Sequence, residues 1–342
     1  MEDIKGQLEM LGLAETLRRV DALTSSPSER RRLRQRVEIT HDVLSSDPSP
    51  EELSFLHSGL CQTCLPHSRP AQNHAVWRRT AGRFSLMITP GVVDDTPKST
   101  RNRQPTTNEF EQMYVGVPYG SKARLILIYL QTEGVRSRTV SLGPSLSAFL
   151  RSLDLPVSGG PRGSISAVRE QCLRIARCTF SMQWTDTNSA GDEHTVITDT
   201  RISNGLELWK AAKGDGWAGT VELSEQFHEH LREHAVPLDK RGIAQLSGNS
   251  LGLDLYTLFA YRLPRLQREA HIRWGSLQAQ IGADYGRQRK LAQRVREVMP
   301  DVLSAYPHAK VEALSTGITL HPSPPAVPKT VVRGVRLVSS ES

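Results

Sequence analysis

The sequence predicts an α+β protein: two tandem winged helix-turn-helix units preceded by a helical N-terminal region. Three observations carry this. The chain has 342 residues, 38% of them apolar and 23% charged, which suits a globular protein of about two domains at ~100–200 residues each. An order of helix, strand, short helix, turn, long helix and two β-type runs occurs twice, without sequence identity between the copies. The basic excess is also confined to one stretch of the second copy.

Residues 1–45 read as helical, with Leu8, Leu11, Leu13 and Leu17 as a loose apolar face and a break at Ser26–Pro27–Ser28. Arginines at 30, 31, 32, 34 and 36 follow; such a run is more often one side of an exposed helix than a phosphate site. Residues 94–108, polar with two prolines, read as a long loop.

In the first copy a helix runs from Ser121 to Glu133, with Leu125, Ile128 and Tyr129 on one face and Gly134 closing it. Thr139–Leu142 is a strand and Ser145–Leu153 a short helix. After the glycine-rich turn Ser158–Gly163 a longer helix reaches Arg177, its apolar face being Ile165, Val168, Cys172 and Ile175. Cys178–Thr185 and Thr195–Ile202 are β-type. In the second copy Thr220–Leu223 is a strand, and helices cover Ser224–Glu233 and Asn249–Arg262. A strand at Ala270–Arg273, a short helix at Trp274–Ile281 and a long helix from about Tyr285 to Tyr306 follow. Lys310–Leu314 and Ile318–His321 then pair around Ser315–Gly317. The expected division is a helical extension (1–48), a strand and loop lead-in (49–109), a first winged unit (110–217), a second (218–322) and an unstructured proline-rich tail (323–342).

The net charge is +7 and the isoelectric point about 9.4. Between Arg262 and Arg296 stand nine cations and two acids, Glu269 and Asp284. That window alone nets +7, as a nucleic-acid footprint would. In its long helix Leu291, Val295, Val298 and Val302 recur at helical spacing and should face the core. Arg289, Gln293 and Arg296 fall opposite. In a helix-turn-helix the helix after the turn enters the major groove N-terminus first. Arg suits guanine and Gln adenine, because each can form two parallel hydrogen bonds there. The expected DNA contacts are Arg273, Ser276, Gln278, Tyr285, Arg287, Gln288, Arg289, Lys290, Gln293, Arg294 and Arg296. Arg287, Gln288 and Arg289 are the expected base readers; Lys290, Arg294 and Arg296 are the expected phosphate holders. A weaker secondary set in the first unit is Lys122 and Arg124 on its first helix, with Arg162 ahead of and Arg169 on the longer helix that also carries Arg174 and Arg177, diluted by Glu170.

Four stretches carry a family resemblance: VGVPYGSKARLILIYLQTEGVR (115–136), LGPSLSAFLRSLDLPVSGGPRGSISAVREQCLRIA (142–176), VPLDKRGIAQLSGNSLGLDLYTLFAYRL (236–263) and YPHAKVEALSTGITLHPSPP (306–325). They resemble the RepA-type plasmid replication initiators of Gram-negative bacteria. The resemblance covers about residues 50–325. It implies non-catalytic binding of repeated double-stranded origin sequences (iterons) and recruitment of host replication proteins, the helicase and initiator. It further implies that the second unit is the main reader and the first a homodimerisation and secondary DNA unit. A transcriptional regulator with the same DNA module is the alternative.

Other chemistry is weighed and set aside. His230-Leu-Arg-Glu-His234 matches the H-x-x-E-H pattern of inverted zinc peptidases, so a zinc hydrolase is a second alternative. The pattern, however, sits at a helix end running into Ala235–Pro237. His57, Cys61, Cys64 and His67 offer four zinc-type ligands within 11 residues, tight for a tetrahedral cage. Cys172 and Cys178 read as packing residues. No P-loop pattern occurs. His228-Glu-His230 puts a charge where a nicking enzyme wants an apolar residue between two histidines. Trp77, Trp184, Trp209, Trp217 and Trp274 read as core or interface anchors. No cofactor, no metal and no enzymatic activity are expected. No apolar run reaches the ~18 residues of a membrane span, and the start MEDIKGQLEM lacks a signal peptide's apolar segment. The expected location is the cytoplasm, with reduced thiols.

Overall fold

The computed structural model describes residues 3–93, 106–187, 193–205, 219–282 and 285–332. The chain forms two compact units. A terminal unit gathers Met1–Ser54, Val236–Gln278 and Tyr285–Ser342, and a central unit holds Phe55–Ala235 and Ala279–Asp284.

The chain opens in the terminal unit with α1 (Ile4–Leu23) and α2 (Pro27–Ser45). The Asp3 carboxylate caps α1 by accepting from the Gly6 N–H. Gly12, at φ +72°, kinks the helix midway. Ser26 caps α2 and Pro27 occupies its first turn, where proline's missing N–H costs nothing. Leu8, Val20, Leu33 and Val37 close the hairpin core.

The central unit follows β1 (Leu53–His57) with α3 (Ser58–Gln62), β2 (Trp77–Ala81), β3 (Phe84–Thr89) and α4 (Thr107–Gln112). Next come α5 (Gly120–Gly134), β4 (Thr139–Ser141), α6 (Leu146–Ser152), α7 (Ser164–Arg177), β5 (Thr179–Thr187), β6 (Glu193–Thr200), β7 (Ser203–Gly205), β8 (Thr220–Leu223) and α8 (Glu225–His234). One antiparallel sheet runs β2-β3-β5-β6 and another β4-β8-β7. In the first, Leu86 faces Met182 and Ile88 faces Phe180 across the ladder. All four are buried, as alternating strands with one covered face require. Helix α5 packs on α7 and α8.

After β9 (Ala235–Asp239) the chain returns to the terminal unit through α9 (Lys240–Leu246), α10 (Ser250–Arg262), β10 (Ala270–Arg273), α11 (Trp274–Ile281), α12 (Gln288–Ala305), β11 (Val311–Ala313) and β12 (Gly317–Leu320). The sheet order is β10-β12-β11, all antiparallel. Helix α12 packs against α2, α9 and α10.

The α+β class and the elements given bounds in the sequence reading match; β1, α3, β2, β3, α4, β7, β9 and α9 had none there, and the grouping differs. The strand Thr220–Leu223, expected to open the second unit, pairs with β4, Val140 facing Val221. Both valines are buried. With α8 it therefore completes the central unit, and the boundary falls near residue 236 instead of 218. The β5–β6 hairpin forms, but β5 joins β3 rather than β4. The N-terminal helices are not a separate extension, because α2 packs on α12. The proline-rich end is not wholly unstructured either. Val327 is buried, and the Tyr306 hydroxyl donates to the Pro324 carbonyl at 2.5 Å. Of the long polar loop, 94–105 lies outside the described residues, as do Trp209 and Trp217. Residues 107–112 are helical, started by a capping box between Thr106 and Glu109.

Candidate nucleic-acid interface

Helix α12 begins at Gln288, with Arg287 extended at φ −138° as its N-cap and no side-chain cap bond. No acid stands in its first turn. Leu291, Val295, Val298 and Val302 are each 0% exposed, so the predicted apolar stripe is the buried one. Arg287, Gln288, Arg289 and Lys290 are exposed. Among the described residues none of these three cations has an ion-pair partner, and the same holds for exposed Arg273. The open amides of a helix start carry positive partial charge. Added to three neighbouring cations, they give this end of α12 a positive potential.

Gln278, half-buried, donates from Nε2 to the Tyr285 carbonyl at 2.5 Å. Gln278 and Tyr285 thus tie α11 to the start of α12. Ser276 is exposed on α11. A Cβ on Gly275 would come within 3.1 Å of Gln288 Nε2, so the first residue of α12 lies close over α11.

Farther along, the cations are not equivalent. Gln293 Nε2 and Arg294 donate to opposite oxygens of Glu297 at 2.9 and 3.0 Å. Those hydrogen bonds, Arg294's first, hold the Glu297 carboxyl below its usual range. Arg296 donates to the Leu314 carbonyl at 2.8 Å, and its guanidinium lies 5.3 Å from the Trp274 ring centroid.

In the central unit Arg162 and Arg169 are exposed at the start and on the face of α7, and Lys122 is half-buried on α5. Arg124 is a correction. It is 5% exposed and donates to the carbonyls of Leu65 at 2.7 Å, Gly120 at 2.9 Å and Pro66 at 3.2 Å. Its charge is spent closing a loop onto α5 and does not face a duplex. Arg174, 2% exposed, is likewise internal, bonded to Glu170 and the Val117 carbonyl.

The two zinc-type patterns meet each other instead of forming separate sites. His57 Nδ1 accepts from the Gly59 N–H at 3.1 Å. That leaves its Nε2–H to donate to His230 Nδ1 at 2.9 Å. His234, the last residue of α8, meets His230 edge-on with ring centroids 4.4 Å apart, and the Trp184 ring lies beside both. Burial, then the neighbouring His230 and His234, push His57 down to about 3. A neutral buried histidine that donates one proton and accepts another is a packing device. Cys61 turns its thiol to the Leu56 carbonyl at 3.8 Å, and His57, Cys61, Cys64 and His67 do not converge as a set among the described residues. Cys172 and Cys178 are buried packing residues, 4% and 0% exposed, and burial pushes both thiols up to about 12.

Sequence reasoning missed the role of Trp274 and of the turn 314–317. The one local signal was the glycine at 317. A Cβ there would sit 2.0 Å from the Ile272 carbonyl oxygen, so only glycine allows the strands to close.

No helix among the described residues is long and apolar enough to cross a membrane. No curated protein matches the chain. Two solved structures are similar. One is described as selenomethionine derivatives of domain 2 and domain 3 of RctB (11% identity, 78% of this chain and 97% of that chain, TM-score 0.48). The other is described as RctB domains 2–3 (12%, 77% and 94%, TM-score 0.43). Residues 117–276 match the RepA_C family, described as "Plasmid encoded RepA protein". That segment, just under half of the chain, is similar to that family; it contains the second and third quoted stretches whole and most of the first.

Proposed function

We propose that the chain is a plasmid replication initiator that binds repeated double-stranded origin sequences through its terminal unit. One observation carries this reading. The start of α12 presents Arg287, Gln288, Arg289 and Lys290 to solvent without an acid in its first turn, while the opposite face is locked into the core.

The surroundings support it. We read the order α10, β10, α11, α12, β11, β12 with sheet order β10-β12-β11 as a winged helix-turn-helix, the motif whose second helix of the pair enters the major groove. Arg287, Gln288 and Arg289 read base edges. Lys290 and Arg273 hold phosphates, and Ser276 adds a polar contact beside them. Gln278 and Tyr285 set the angle between the helices; Arg294 and Gln293, shared with Glu297, make a weaker second tier. In the central unit Lys122, Arg162 and Arg169 supply secondary backbone contacts, and that unit serves dimerisation. The protein acts in the cytoplasm without catalysis of its own, recruiting host helicase and initiator.

The test is a mini-plasmid carrying this gene and its flanking repeats, placed in a host that cannot otherwise maintain it. Autonomous replication, lost when Arg287 and Arg289 are both replaced by Ala, is the expected result. Operator repression without replication would make the protein a transcriptional regulator and overturn the reading.

A further inference from the structure

The turn between β11 and β12 is held by two residues from outside it. Arg296 donates to the Leu314 carbonyl at 2.8 Å. Trp274 donates from its indole Nε1 to the Ser315 carbonyl at 2.9 Å and from its backbone to the Thr316 carbonyl at 3.2 Å. Three successive carbonyls of the turn are thereby satisfied by α11 and α12. The Arg296 guanidinium, 5.3 Å from the Trp274 ring, joins the two donors. Inside the turn the Leu314 N–H returns to the Gly317 carbonyl at 2.8 Å. On the neighbouring strand the His271 imidazole bridges the hydroxyls of Thr316, at 3.2 Å, and Thr319, at 3.1 Å. Trp274 is 6% exposed and Leu314 43%. Trp274 lies inside, then, while Arg296 and the turn's apolar tip are exposed.

We infer that Arg296 and Trp274 clamp the β11–β12 turn to α12, so that turn and helix start form one two-part reader of fixed spacing. This deepens the proposed function and rests on it. Arg296 is a positioning residue. Its guanidinium is spent on a carbonyl and a ring face, not on a phosphate, although charge counting alone ranks it with Lys290. A turn fixed this way meets the duplex without ordering itself first, so binding avoids that entropic cost.

Arginine chemistry supplies a discriminating variant. A planar guanidinium can lie over an indole and donate in its own plane at once; a lysine ammonium supplies the charge alone. A phosphate contact survives Arg296→Lys and a clamp does not. The experiment measures amide hydrogen exchange of peptides spanning 310–321, together with hydroxyl-radical footprints and titrations on a repeat duplex. The proteins are wild type, Arg296→Lys, Arg296→Ala and Trp274→Phe, the last keeping an aromatic ring without the Nε1 donor. Thermal melts confirm folding of each.

The expected result is severalfold faster exchange in 310–321 for both Arg296 variants. Repeat protection from the turn should be lost while that from α12 is kept, and affinity should fall about tenfold, as for one lost specific contact. Trp274→Phe should fall between. Wild-type exchange and binding in Arg296→Lys would overturn the clamp. Faster exchange with unchanged footprint and affinity would overturn the two-part reader, because the turn would then touch nothing. A wild-type protein with no repeat footprint would overturn the proposed function and the reader with it, while exchange would still decide the clamp.

Discussion

Arg36 of α2 donates to Asp301 of α12 at 2.5 Å, and Arg32, one turn earlier, donates to the other oxygen of the same carboxylate at 2.6 Å. Burial pushes the Asp301 carboxyl up, but the hydrogen bonds from Arg32 and Arg36 win and hold it below its ordinary value. Two members of the arginine run thus bolt the N-terminal hairpin to the back of the candidate reading helix. Replacing Asp301 with Asn removes the charge that both guanidinia need. The expected loss is about 1–3 kcal/mol of stability, seen as a lower midpoint in urea unfolding. The carboxyl's folded-state value is depressed, so the bolt stabilises above the ordinary carboxylate range and weakens as pH falls through it. An unchanged midpoint for Asp301→Asn would show that the hairpin docks by its apolar contacts alone.

Leu291 and Arg289 stand two residues apart and should separate folding from binding. Leu291 is 0% exposed, and Leu291→Ala should cost about 2–5 kcal/mol through lost transfer energy and a residual cavity. Arg289 is exposed, and Arg289→Ala should leave the unfolding midpoint within about 0.5 kcal/mol of wild type. Equal destabilisation by the two would mean that Arg289 packs, contrary to its exposure.

His57 should make the central unit acid-sensitive. Its folded value is about 3, against about 6.5 in an unfolded chain. Between those limits the unfolded state binds the extra proton, so stability is full above pH ~6.5 and falls toward pH 3, by at most about 1.4 kcal/mol per pH unit. His230, pushed down by burial and then by His234, adds to the same slope. Chemical unfolding followed between pH 7 and 4 should show this slope in wild type and a flatter one in His57→Gln. Parallel slopes would remove His57 from the account.

The elements were legible because their periods are strong. The i, i+4, i+7, i+11 valines and leucine of α12 and the exact bounds of β10 and α11 come straight from side-chain pattern. Their partners were not. Thr220–Leu223 reads as a strand wherever it pairs, and only the fold shows Val221 opposite Val140. Charge counting found the basic window but weighed its cations alike. In the structure Arg294 shares a carboxylate with Gln293, and Arg296 is spent on a carbonyl. In the central unit Arg124 is spent the same way. Each of these depends on a residue distant in sequence or on a backbone oxygen, and no spacing rule records either. His57 and His230, 173 positions apart, look like halves of two metal motifs until the fold pairs them.

The most direct test of the central claim is a fluorescence anisotropy titration at fixed salt. Wild type and the double variant Arg287→Ala, Arg289→Ala are each titrated onto a labelled repeat duplex and a scrambled duplex of equal length. Two lost base readers, at about 1–3 kcal/mol each, should collapse the preference for the repeat. Binding to the scrambled duplex, held by phosphate contacts, should fall far less. If the double variant keeps the wild-type preference for the repeat, α12 is not the reader.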